Sequence, residues 1–169
     1  MKFVCAKCGV EHDSGNLAWH FAEPLPWLMA SEAERQQSVL TPDQCELVAD
    51  GKVHHFIHAQ LQIPVHGRDE PFVWGVWCSQ SEESYLEVSA LWESDERVKT
   101  GPHFGWLCSR VPGYPDSLNL KTRVLQRAVG LRPLVELEAT EHPLAIDQRC
   151  GIEPARLQRI VEELLHPTT

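Results

Sequence analysis

No stretch of this sequence approaches the roughly 18 consecutive apolar residues that a membrane-spanning helix needs, so a membrane partner is not expected. The opening segment MKFVCAKC lacks the apolar core of a secretory leader. A cytoplasmic chain is therefore expected, with its six cysteines as reduced thiols or metal ligands rather than a disulfide framework. Internal repeats and low-complexity tracts are missing. So are the Walker loop, the Gly-x-Ser-x-Gly elbow and His-Glu-x-x-His, which removes the commonest nucleotide and hydrolase signatures. Basic residues are also scarce, with 15 Lys+Arg against 24 Asp+Glu for a net charge of −9. The deficit is confined to residues 1–100, which hold 16 acids and 7 bases, whereas 101–169 hold 8 of each. An acidic surface repels phosphate backbones, so no nucleic-acid partner is expected.

What is present reads as a folded globular chain: 169 residues, 43% hydrophobic and 23% charged. The expectation is one domain over 1–169, with a small Cys/His-bearing lobe at 1–45 and a core at 52–169. Thr41-Pro42-Asp43 and Asp50-Gly51 mark the seam with turn residues. Residues 53–63 alternate, placing Val53, His55, Ile57, Ala59, Leu61 and Ile63 on one face of a half-buried strand that Pro64 ends. FVWGVWC at 72–78 is apolar on both faces and reads as a central strand. Ser79 and Glu82 have capping-box spacing before Tyr85, Val88 and Trp92 at helical intervals. A short strand at 104–109, a hairpin of 120–127 with 134–139 turning through Gly130 and Pro133, and helices at 143–149 and from Pro154 complete the chain. The fold class that follows is α+β: a mostly antiparallel sheet with C-terminal helices packed on it, and a zinc-ribbon-like N-terminal lobe.

The sharpest chemical motif is Cys5-Ala6-Lys7-Cys8-Gly9 with His12 beyond it. Such a turn lets two thiolates reach one tetrahedral ion, and Gly9 permits the tight turn that aims backbone N–H groups at sulfur. Zn2+ is the expected cofactor, with Cys5, Cys8, His12 and Cys45 as the expected ligands and His20 as an alternative to His12. A second candidate is the irregular stretch 101–116, where His103, Trp106, Arg110 and Tyr114 form a possible ligand loop. His54 and His58 share a strand face but stand about 13 Å apart, too far to chelate one ion. His55 falls on the apolar face. Lys121, Arg123 and Arg127 share a strand face that suits an anion, but Glu136 and Glu138 on the next strand are placed to neutralise it. The six tryptophans suit a core better than an aromatic cleft. The segment 142–169 is nearly neutral and reads as an ordinary helix pair rather than a DNA-reading one.

Several of these segments resemble an uncharacterised bacterial family catalogued as domain of unknown function 2199. They are Cys5-x-x-Cys8-Gly9-x-x-His12, LTPDQCELVADGKVHHFIHAQLQIPV, FVWGVWCSQSEESY, GPHFGWLCSRVPGYPDSLNLKTRV and GLRPLVELEATEHPLAIDQRCGI, together with the final helix. The resemblance covers nearly the whole chain, implies a bacterial single-domain protein, and brings no established activity. The expected function is a zinc-binding interaction module with a structural metal, its partner a protein or a small molecule. The alternative is a small metal-assisted hydrolase with an open zinc position.

Overall fold

The computed structural model describes residues 2–13 and 18–166. At the N-terminus, β1 (Lys2–Val4) and β2 (Glu11–Asp13) pair antiparallel as a ribbon of their own. Every later described strand joins one sheet: β3 (Ala18–His20), β4 (Val39–Leu40), β5 (Gln44–Ala49), β6 (Lys52–Ile63), β7 (Phe72–Gln80), β8 (His103–Trp106), β9 (Lys121–Leu125) and β10 (Leu134–Leu137). Among the described strands of 1–45, then, only those of the first ribbon stand apart from the large sheet. Asp50-Gly51 is the two-residue turn between β5 and β6, with both residues at positive φ.

The helices are brief until the C-terminus. α1 (Leu25–Met29) and α2 (Glu32–Gln36) precede β4, and a Ser31–Glu34 capping box opens α2. α3 (Glu82–Ala90) follows β7, capped by Ser81 accepting from the Ser84 N–H rather than by Ser79, because β7 runs on through Gln80. A 3-10 turn spans Asp95–Lys99, and α4 (Pro143–Cys150) and α5 (Pro154–Leu165) close the chain, each with proline in its first turn.

The sheet order is β3-β7-β6-β10-β9-β8, with β5 also on β6 and β4 on β5. Pairing is antiparallel except for β3 with β7 and β10 with β6, the latter at a single register pair, Leu134 with Gln60. Beyond β8 the Cys108 N–H donates to the Trp77 carbonyl at 2.7 Å, and Leu107 bridges Cys78. These links carry the chain back to β7, so β7, β6, β10, β9 and β8 follow a closed, curled path. Where β6 and β10 diverge, the Gln148 amide stands in for a missing strand. It donates to the Val135 carbonyl at 2.7 Å and accepts from the Leu137 N–H at 2.8 Å.

Two cores result. On one face Ile57, Ala59, Leu61 and Ile63 of β6 meet Trp74 and Val76 of β7 and Leu157, Ile160 and Val161 of α5. Burying each of those three α5 side chains contributes roughly 1.5–3 kcal/mol to docking the helix. On the other face Phe56, Leu47, Cys45, Trp77 and Cys108 form a smaller cluster. β6 is thus buried on both faces from His55 to Ala59, more than its simple alternation suggests.

Candidate metal centre

The Cys-x-x-Cys turn is folded by its own backbone. Cys5 N–H donates to the Val10 carbonyl and Gly9 N–H to the Cys5 carbonyl, each at 2.9 Å, which closes the loop between β1 and β2. Gly9 holds φ +71°, a left-handed conformation that glycine adopts without a Cβ clash. The Lys7 N–H points at Cys5 Sγ across 3.4 Å. Burial works to raise the Cys5 thiol pKa, but the N–H groups of Cys8 and Lys7 outweigh it and hold the thiol below its ordinary range. His12, at the start of the return strand, brings Nε2 to 3.3 Å from Cys8 Sγ.

The fourth corner comes from the far end of the chain. One ligand atom each from Cys5, Cys8, His12 and His166 lies within 4.8 Å of all the others. A zinc tetrahedron with bonds of about 2.0–2.3 Å has edges of roughly 3.3–3.8 Å, so a contraction of about 1 Å closes the set on an ion. His166 arrives there because α5 docks on the core and stops at that residue, which has left the helix at φ −134°. Pro167 follows it in the sequence, and a residue before proline is biased out of helical conformation. Nε2 of His166 is buried without a hydrogen-bond partner, and its ring lies 6.1 Å from that of His12.

The turn and the helix are also joined directly. The Ala6 N–H donates to Glu162 Oε1 at 2.9 Å, and Lys7 Nζ donates to the His166 carbonyl at 3.1 Å. Hydrogen bonds from Gln158 and the Ala6 N–H hold the Glu162 carboxyl below its usual range. Glu162 is buried, at 8% exposure, on the flank of the apolar stripe. An acid in that position is the one local signal of this contact in the sequence. His166 carries no such signal, because its role depends on where the helix docks.

The expected ligands therefore divide. Cys5, Cys8 and His12 come together, whereas Cys45 does not join them. Cys45 sits opposite Phe56 on β5, in the second core, where burial and the charge of Glu46 push its thiol up to about 12. It is a packing residue there. His20 pairs with β7 in the large sheet and is absent from the cluster.

The residues of the 101–116 stretch each find a separate partner. His103 Nε2–H donates to Glu87 at 2.7 Å. Trp106 packs edge-on against Phe104 at 5.1 Å, and Arg110 lies 3.5 Å from Asp116. The Tyr114 hydroxyl donates to Asp147, which Arg156 also holds, both at 2.9 Å. Two of the three basic side chains are neutralised as the neighbouring strand suggests, with Lys121 at 3.6 Å from Glu138 and Arg123 at 3.5 Å from Glu136, whereas Arg127, beyond the end of β9, donates to the Arg132 carbonyl and the Gln60 side chain. His54 is exposed, while His55 is buried against Tyr85 at 4.6 Å.

No curated protein and no solved structure matches the chain. A family model does, described as an uncharacterized protein conserved in bacteria (DUF2199), over residues 4–152. That span holds Cys5, Cys8 and His12 and stops before His166. With nearly nine-tenths of its length matched, the chain belongs to this bacterial family, domain of unknown function 2199.

Proposed function

We propose that this chain is a cytoplasmic zinc-binding interaction protein whose metal is structural rather than catalytic. The observation that carries the reading is the closed ligand set. Cys5, Cys8, His12 and His166 offer one possible ligand atom each from opposite ends of the described chain, and four protein ligands on one ion would leave no position for a water or substrate. An ion held there would tie the first ribbon to the end of α5 and so fix the N-terminal turn on the core. A hydrolase reading requires three protein ligands and an activated water, which a closed Cys2His2 set does not offer. Six free cysteines suit a reducing compartment.

The test is elemental analysis of untagged protein purified without added metal. About one zinc per chain is expected, retained in Cys45→Ser and lost in Cys8→Ser and His166→Ala. Zinc retained at full occupancy in His166→Ala would mean an open three-ligand site and would favour the hydrolase. Metal-free wild-type protein that takes up no zinc on titration would overturn the reading altogether.

A further inference from the structure

The sheet face that carries Cys45, Phe56 and Trp77 also bears a cleft that shares no residue with the Cys5–Cys8–His12–His166 cluster. It encloses about 480 Å3 and is bordered by His20, Phe21, Thr41, Pro42, His58 and Arg132. That volume lies within the roughly 300–1,000 Å3 of small-molecule sites. His58 is the deepest of these groups, only 3% exposed, with its ring stacked on Trp77 at 4.8 Å and 9°. Its Nδ1 lies 2.9 Å from the Pro42 carbonyl. A carbonyl only accepts, so Nδ1 carries the proton and Nε2 the lone pair. Nε2 is buried and makes no hydrogen bond. Buried polar atoms are seldom left so, and this one belongs to a side chain that lines the cleft.

Gly75 explains how a second imidazole reaches the same point. A Cβ on Gly75 would stand 2.0 Å from His20 Nδ1 and 2.9 Å from His58 Nε2, so only glycine lets both nitrogens border this spot on β7. The two rings meet edge-on at 5.9 Å. Arg132 completes the rim. Its Nε donates to Asp43 at 2.7 Å and one terminal nitrogen to the Pro42 carbonyl at 3.3 Å, which fixes the guanidinium in place.

Charge decides what such a cleft can hold. Burial is the largest influence on His58 and lowers its pKa, the hydrogen bond to the Pro42 carbonyl opposes it, and the charge of Arg132 lowers it further. His20 is lowered by burial and then by Arg132. These are the titratable and charged groups facing His58, with Asp43 committed to Arg132. A metal cation between the imidazoles would meet the guanidinium. An anion would meet a guanidinium already paired with Asp43 through Nε, and two imidazoles able to take up protons.

We propose that this cleft binds a small oxyanion, a carboxylate or a phosphate-type group, between Arg132, His20 and His58, with His58 Nε2 protonated on binding so that it donates. The proposal rests on reading the chain as a binding protein, and it uses no residue of the metal cluster. Its failure would leave the zinc assignment standing.

Sulfate and acetate, both ionised between about pH 6.5 and about pH 8, serve as separate probes of the full chain. Imidazole 1H–15N correlations report binding and protonation. Saturable shifts at His58 and His20 are expected with at least one anion, with affinity about tenfold tighter at the lower pH. Response to sulfate alone marks a phosphate-type ligand and response to acetate alone a carboxylate. Arg132→Gln and His58→Gln should each weaken binding by about tenfold or more. Those two side chains also hold Pro42, so His20→Gln, an exposed position, provides the variant that keeps the fold. It should weaken binding several-fold at an unchanged melting temperature. Absence of a saturable shift with either anion, unchanged affinity in His20→Gln, or zinc ions moving these nitrogens in place of the anions would overturn the proposal.

Discussion

Arg97 is 1% exposed, and among the described residues it has no carboxylate partner within ion-pair distance. Its guanidinium instead collects backbone carbonyls: Nε donates to Arg127 at 2.6 Å, Nη1 to Trp92 at 3.0 Å, and Nη2 to Leu131. It also lies over the Trp92 ring at 4.6 Å. A buried charge satisfied by three carbonyl dipoles ties the 3-10 turn to the β9–β10 connection. Removing it relieves the cost of burying a cation but strands three acceptors, and the second effect is the larger. Arg97→Met is expected to lose about 2–4 kcal/mol of unfolding free energy in urea titration. Arg97→Lys should fall between the two, because one ammonium does not span the fork. A Met variant as stable as the wild type would show that packing against Trp92, rather than the carbonyls, holds the turn. Nothing around Arg97 in the sequence marks it as buried, since two of its three carbonyl partners lie 30 or more residues away.

At the scale of elements, α5 explains most of what the N-terminal turn does. The stripe Leu157, Ile160 and Val161 seats the helix on the sheet, and that docking fixes where Glu162 and His166 stand. Glu162 is a positioning residue: what it holds is the Ala6 N–H, between the two cysteines. Groups that orient metal ligands typically contribute about 10–100-fold to affinity. Glu162→Ala should therefore weaken zinc binding by about tenfold in competition with a chromophoric chelator. Glu162→Gln, which keeps the acceptor, should recover much of the loss. Equal loss in both variants would assign the effect to charge rather than to the bond with Ala6. The periodicity that locates α5 is plain in the sequence, as is the Cys-x-x-Cys turn. Their meeting is not, because nothing local to either records a contact between residues 156 apart.

For the whole molecule, histidine sets the acid limb of stability. Burial depresses both His58 and His20 below their ordinary pKa. The unfolded chain then binds more protons than the folded one as pH falls through about 6.5, so these groups withdraw stability in that direction. His66 acts oppositely. Its hydrogen bond to Glu153 at 2.7 Å raises its pKa, so its contribution is full below about 6.5 and is lost as pH rises through the folded value. The His66 side chain is 50% exposed, so solvent screens that pair, and the buried His58 dominates. Metal-free protein, in which proton competition for thiolates plays no part, should lose stability from about pH 7.5 to about pH 5.5. His58→Gln should flatten the profile and His66→Gln steepen it. A profile unchanged in His58→Gln would place the acid limb elsewhere.

The sequence by itself determined the α+β class, the strands at the centre of the sheet, the helical C-terminus and three of the four clustered metal-ligating residues. Each of these is written in local terms: period-two alternation, turn residues, an apolar stripe, a pair of cysteines two residues apart. It also foresaw that Glu136 and Glu138 answer the basic strand, since neighbouring strands joined by a short turn have a nearly fixed register. Tertiary structure alone decided that Cys45 turns into a second core, because the face a strand residue takes depends on which side of β6 the chain covers. It likewise brought His166 to the Cys/His cluster, and it brought His20 and His58 together across Gly75 beside Arg132. Those are meetings of distant segments, fixed by the docking of a helix and the curling of a sheet. Burial free energy drives both, and it depends on the whole surface covered rather than on any short run of residues.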